Sequence, residues 1–111
     1  MSRVQLALNV ADLDESIAFY TKLFQTPPAK VRDGYANFAI ADPPLKLILF
    51  AGAGEPGSLN HIGVEVDDLA AIEAKVLAAG LRPFGHDTYD PGRRFYFLDP
   101  DGIEYEVVSY R

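Results

Sequence analysis

The chain has no cysteine among its 111 residues. That excludes disulfides, thiolate metal ligands and a cysteine nucleophile within it, and it leaves the redox compartment unreadable. Positive charge is also in short supply. Ten Lys and Arg face sixteen Asp and Glu, a net charge of −6. Phosphate recognition needs a basic face, so this balance argues against nucleic acid and anionic membrane as partners. No run of 18 apolar residues occurs, and no stretch reads as the apolar core of a signal peptide. The expected location is therefore the cytoplasm. Hydrophobic residues make up 49% and charged residues 23%, as in ordinary globular proteins, and the length suits a single domain.

What is present is a repeat. "VQLALNVADL" (4–13) aligns with "NHIGVEVDDL" (60–69), which places Gln5 on His61, Asp12 on Asp68 and Leu13 on Leu69, each 56 residues apart. "NFAIADP" (37–43) aligns with "RFYFLDP" (94–100), which places Phe38 on Phe95 and Asp42 on Asp99, each 57 apart. Two copies at this period suggest two similar modules packed together rather than a solenoid.

Each module reads in the same order. A strand at 3–10 is followed by a helix at about 13–24, opened by an Asp12/Glu15 capping pattern. Leu13, Ile17, Tyr20 and Phe24 form its apolar stripe, and Thr26-Pro27-Pro28 closes it. Strands are expected near 29–32, 35–41 and 45–50. Module 1 then covers about 1–51, a glycine-rich linker 52–58, and module 2 about 59–111. Module 2 repeats the pattern with a strand at 60–66, a helix at about 68–79 and strands near 82–88, 93–98 and 103–110. Gly80 suits a left-handed helix cap, and Asp90-Pro91-Gly92 and Asp99-Pro100-Asp101-Gly102 are strong turns. The predicted fold class is α+β: two βαβββ modules forming an eight-stranded curved mixed sheet, with helices on its outer face and a cup on its inner face.

Alternation assigns the cup residues. Val4, Leu6, Leu8 and Val10 should face the helices, leaving Gln5, Ala7 and Asn9 inward. Likewise Ile62, Val64 and Val66 face the helices, leaving His61, Gly63 and Glu65 inward. On the last strand Ile103, Tyr105 and Val107 take the core side, with Glu104, Glu106, Val108 and Tyr110 opposite. Strand 45–50 is apolar except for Lys46, so its parity stays open, and by repeat count Leu49 matches Glu106. Gln5, His61 and Glu106 thus fall on one surface from three strands. An amide, an imidazole and a carboxylate can share a divalent metal and leave positions for water and substrate. Taken singly, each has an ordinary reading as a hydrogen-bonded or solvated side chain.

The paired βαβββ modules, "SIAFYTKLF", "NHIGVEV" and the terminal "DPDGIEYEVV" resemble the vicinal oxygen chelate superfamily of glyoxalase I, extradiol dioxygenases and bleomycin-resistance proteins. The first half is similar to its cadmium-induced protein and organoarsenical carbon–arsenic lyase branch. That resemblance implies a metal site on Gln5, His61 and Glu106, with Glu104 as the rival to Glu106. It also implies a non-haem Fe(II) ion (Zn, Ni, Mn or Co being alternatives), O₂-dependent lyase- or dioxygenase-like chemistry on a small molecule, and a homodimer. Members of that branch carry a vicinal cysteine pair before the seventh strand. Here the segment reads "HDTYDPGRR", so the arsenic substrate does not carry over with the fold. A glyoxalase-type site would want a fourth ligand on strand 45–50, and Leu47, Ile48 and Leu49 offer none.

Further cup residues are expected to bind substrate. His86 is a proton-transfer candidate. Arg93 and Arg94 point to opposite faces, and the inward one, taken as Arg94, could grip an anion. Phe95, Tyr96 and Phe97 include one or two cup-wall aromatics, Tyr96 being the one taken here although the hairpin register is open, and Phe50 and Tyr110 could close the rim. Two rival readings stand beside the enzyme. One is a non-catalytic drug- or toxin-binding protein of the bleomycin-resistance type, which would sequester its ligand without metal. The other is a chimera of branch-like and generic halves with no natural activity.

Overall fold

The computed structural model describes residues 2–110. The chain runs β1 (Arg3–Val10), α1 (Leu13–Phe24), β2 (Lys30–Arg32), β3 (Tyr35–Ile40), β4 (Leu45–Ala51), β5 (Leu59–Glu65), α2 (Leu69–Ala78), β6 (Phe84–Tyr89), β7 (Gly92–Leu98) and β8 (Glu104–Ser109). The order is βαβββ twice, as the repeat predicts. The strands form an eight-stranded mixed sheet in the order β2-β3-β4-β1-β5-β8-β7-β6. β5 and β8 pair in parallel, and the β2–β3, β3–β4, β6–β7 and β7–β8 pairs are antiparallel. No helix among the described residues is long and apolar enough to cross a membrane. The chain divides into two compact units, one of Gln5–Asn60 and the other of the residues through Val4 together with those from His61 onward.

In the Gln5–Asn60 unit, α1 starts where Asp12 accepts the Glu15 N–H at 3.0 Å, and Asp14 and Glu15 place negative charge in its first turn. It stops one residue before the expected Thr-Pro-Pro segment. Gln25 turns left-handed (φ 51°) and its N–H bonds back to the Thr21 carbonyl. The predicted stripe of Leu13, Ile17, Tyr20 and Phe24 packs on Ala36, Phe38, Ile40, Leu47 and Leu49, with Leu6, Leu8 and Val10 beside it. This settles the parity of β4: Leu45, Leu47 and Leu49 take the helix side. The linker is pinned rather than loose. Asn9 accepts from Asn60 and donates to Ser58 Oγ, both at 2.9 Å, and its backbone bonds to Ser58 and Gly57.

In the other unit, Asp68 caps α2 through the Ala71 N–H at 3.0 Å, and Gly80 ends it with φ 82°. Leu69 and Val76 of α2 pack on Phe95 of β7 and Val107 of β8, with Val66, Ile72, Leu81 and Phe97 around them. Each unit therefore buries one helix against one face of its own strands.

The Asp-Pro-Asp-Gly turn fixes how β8 enters the sheet. Asp99 accepts the N–H groups of Asp101 and Ile103, both at 2.9 Å, while Gly102 adopts φ 84°. The resulting register sets Leu98 opposite Glu104 and Tyr96 opposite Glu106. Asp99→Ala removes the acceptor of two backbone donors. It should lower stability by about 1–2 kcal/mol, the range for loss of a capping carboxylate, read as a lower urea midpoint at unchanged slope.

Candidate functional site

With Phe95, Phe97 and Val107 packed under α2, alternation leaves Arg94, Tyr96 and Glu106 on the opposite face of the same strands. Glu106 is buried there, at 7% exposure. Its two oxygens have separate duties. Oε1 lies 3.7 Å from His61 Nε2 on β5. Oε2 accepts from Arg94 Nη1 at 3.2 Å and from the Tyr96 hydroxyl at 3.3 Å. Burial by itself would raise the Glu106 pKa. The interactions with His61 and Arg94 outweigh burial and bring it below the ordinary carboxylate value, so the group is held ionised. Burial, then the negative charge of Glu106, pushes the Tyr96 hydroxyl up, so Tyr96 stays a donor.

β6 supplies a second layer through a bulge. The β6–β7 register shifts between Phe84 and Asp87, where Gly85 takes φ 66°. A Cβ at Gly85 would meet Tyr96 Cδ1 at 2.8 Å, so both backbone angle and space demand glycine. The extra residue flips the alternation. Phe84, Asp87 and Tyr89 come to share the face of Tyr96 and Arg94: Phe84 stacks on Tyr96 with centroids 6.0 Å apart, Asp87 Oδ2 takes Arg94 Nη2 at 3.3 Å, and the Arg94 guanidinium lies 4.7 Å from the Tyr89 ring centre.

The same bulge corrects the expectation for His86. Its ring faces the helix side, stacked on Phe95 at 5.6 Å, with Nε2 2.7 Å from Glu73 of α2. It does not belong with Glu106. Tyr110 stands on the expected face, hydrogen-bonded to Tyr89, whose pKa is raised by burial first and then by this bond. Gln5 is buried on β1 in the other unit, at 1% exposure. Phe50 is in that unit too, edge-on to Tyr35 at 5.4 Å.

The glyoxalase/bleomycin resistance protein/dioxygenase superfamily model matches residues 3–107. The chain belongs to that superfamily. A trivalent organoarsenical cleaving enzyme of Thermomonospora curvata is 68% identical over 73 residues, which are 65% of this chain and 48% of that one. A probable trivalent organoarsenical cleaving enzyme of Bacillus subtilis is 31% identical over 116 residues, covering 96% of this chain and 78% of its own. Among solved structures, the Mn(II)-bound glyoxalase of Novosphingobium aromaticivorans matches with TM-score 0.70 and 25% identity, over 98% of this chain and 40% of that one. The chain spans about half the length of the Thermomonospora relative.

For a superfamily member, His61 and Glu106 are a chemically apt pair. An imidazole nitrogen and a dedicated carboxylate oxygen 3.7 Å apart are within reach of one shared divalent ion. Among the described residues no group of three or more His, Cys, Asp or Glu side chains converges. A third protein ligand would therefore have to be of another kind, such as an amide. The register also corrects the repeat count on β4. Phe38 faces Leu47 as Phe95 faces Val107, so Lys46, opposite Ala39, is the counterpart of Glu106, opposite Tyr96. Leu49 is not; it is buried on the helix side. The residue at that position is thus a lysine rather than one of the leucines.

The depressed Glu106 pKa makes a pH prediction. In metal-free protein, its ionised form contributes stability that is present above the ordinary carboxylate range and is lost as pH falls through the lowered folded value. Glu106→Gln lacks this contribution. Its stability should decline less steeply than wild type between about pH 6 and about pH 3, and equal slopes in denaturant titrations would refute the assignment.

Proposed function

We propose that the chain is a metal-dependent enzyme whose divalent ion is held by His61, Glu106 and Gln5, with a small oxygen-bearing substrate binding alongside. The observation that carries this reading is the pairing of half-buried His61 with buried Glu106, Oε1 lying toward the imidazole and Oε2 bonded to Arg94 and Tyr96. Gln5 is the counterpart of His61 in the repeat and is the third ligand of the proposal. The ion, Fe(II) by preference, would supply Lewis acidity and a redox centre for O₂. Lyase- or dioxygenase-like chemistry is favoured because two relatives are named for cleaving trivalent organoarsenicals.

The protein's own groups do the remaining work. Glu106 enters the reaction as a carboxylate at neutral pH. Tyr96 keeps its proton beside it, and the Phe84, Tyr96 and Tyr89 rings wall the approach on the β6 side. Homodimerisation, as in the superfamily resemblance, is part of the proposal.

These residues offer no thiol to a thiophilic arsenic centre. An organoarsenical substrate would have to engage through oxygen, which makes oxygen-chelating small molecules the substrate class to test first.

Protein purified without chelator should contain about one divalent ion per chain, with most of it lost in His61→Ala and Glu106→Ala and part of it in Gln5→Ala, as measured by elemental analysis. Metal content unchanged in His61→Ala would sink the assignment. A stoichiometric metal with no O₂ uptake and no turnover of organoarsenical or chelating oxygen substrates would favour the ligand-sequestering alternative.

A further inference from the structure

One side chain from each of four neighbouring strands forms a line of polar contacts across β6, β7, β8 and β5: Asp87, Arg94, Glu106 and His61. We propose that Arg94, tethered by Asp87, is the positioning residue for Glu106, setting which carboxylate oxygen faces His61. Arg94 was expected to read a substrate anion, but both of its terminal nitrogens are committed within the protein.

The guanidinium geometry argues for a bridge rather than for incidental packing. Nη1 goes to Glu106 Oε2 at 3.2 Å and Nη2 to Asp87 Oδ2 at 3.3 Å. Nε is buried with no acceptor. A buried donor left unpaired is costly, and it is tolerated here because this orientation serves the two Nη groups. Tyr89 and Tyr96 flank the plane, their ring centres 4.7 Å and 5.7 Å from the guanidinium carbon. These rings limit the space in which it can turn.

Asp87 reaches this face only because of the β6 bulge. Strict alternation from Phe84 would have sent it to the helix side. The bulge, the glycine that permits it and the aspartate it re-aims thus act together on a carboxylate two strands away. With Oε2 fixed by Arg94 and Tyr96, Glu106 has one oxygen left to present. Outer partners of this type orient a metal ligand without touching the ion.

Charge alone and positioning predict opposite signs, which makes the inference testable. Removing a cation beside a metal-binding carboxylate should tighten Mn(II) binding if only charge matters. Positioning predicts that Arg94→Gln weakens it, by about tenfold. Arg94→Lys keeps the charge but cannot span both carboxylates, and an intermediate loss is expected. Asp87→Asn should also weaken binding, by less than Arg94→Gln. Mn(II) affinity is read by electron paramagnetic resonance of the free ion, with circular dichroism confirming that each variant is folded. Unchanged or tighter binding in folded Arg94→Gln would overturn the proposal.

The inference rests on the metal reading for this affinity test, and a second test is independent of metal. In metal-free protein, the Arg94 Nε–H nuclear magnetic resonance signal should be protected from exchange. It should lose that protection in both Asp87→Asn and Glu106→Gln. Protection that survives both changes would overturn the bridge. Wild-type protein that takes up no Mn(II) but loses protection in the two variants would overturn the metal reading and leave the bridge standing.

Discussion

A carboxylate at 7% exposure that stays ionised is the constraint around which the helix-free face of the second unit is built. Removing such a charge from water costs several kcal/mol unless partners replace the lost hydration. Glu106 has partners on both sides: an imidazole toward β5, and a guanidinium and a phenol toward β7. Each partner is delivered by a separate device. The Asp99 turn sets the register that puts Tyr96 opposite Glu106, and the parallel β5–β8 pairing brings β5 alongside. The β6 bulge then anchors Arg94 from its far end. Disturbing any one of them leaves the buried charge less well paired, so the turn, the pairing and the bulge are coupled through one side chain.

That coupling accounts for the charged and phenolic groups on this face of strands otherwise rich in hydrophobic residues. The helix side of β7 and β8 takes Phe95, Phe97 and Val107. The other side carries Arg94, Tyr96 and Glu106, with buried Val108 opposite Arg94 and aromatic rings around the charged groups. Rings suit the position. Tyr89 and Tyr96 each offer a face to the guanidinium. Their hydroxyls, kept protonated by burial and the nearby carboxylate, remain able to donate.

Much of this was legible from sequence because it depends on short-range rules. Asp12 caps the helix it was expected to cap, and the Leu13–Phe24 stripe packs as its spacing predicts. Parity on β8 separated Glu106 from the core; Arg94 and Tyr96 share its face, but the sequence alone held no register on β7 to fix that. Two features were not legible. The bulge inserts one residue, and a single residue inverts every later side chain on the strand; His86 therefore went to Glu73, and Asp87 and Tyr89 were overlooked. A glycine at 85 was the only hint. The second is the β3–β4 turn. Lys46 stands four residues after Asp42, whereas its counterpart Glu106 stands seven after Asp99. Counting from the shared Asp-Pro therefore selects Leu49, while hydrogen-bond register selects Lys46. Repeat alignments carry register only as far as the first turn of unequal length.

The donor chemistry also limits how much of a relative's activity can transfer. Sequence identity of 68% over 73 residues is strong evidence of common descent over that stretch, but substrate choice is made by the few atoms that touch the substrate. Here the identified donors are nitrogen and oxygen, with no sulfur. Nitrogen and oxygen donors suit a borderline divalent ion and leave a soft trivalent arsenic without its preferred partner. If the proposed metal reading holds, the metal donors and the substrate-capturing groups of this chain follow different chemistry from each other. On that reading, His61 and Glu106 say where a reaction would happen, and the identity of what reacts would lie with other groups around the same face, which here are phenols and an arginine rather than thiols.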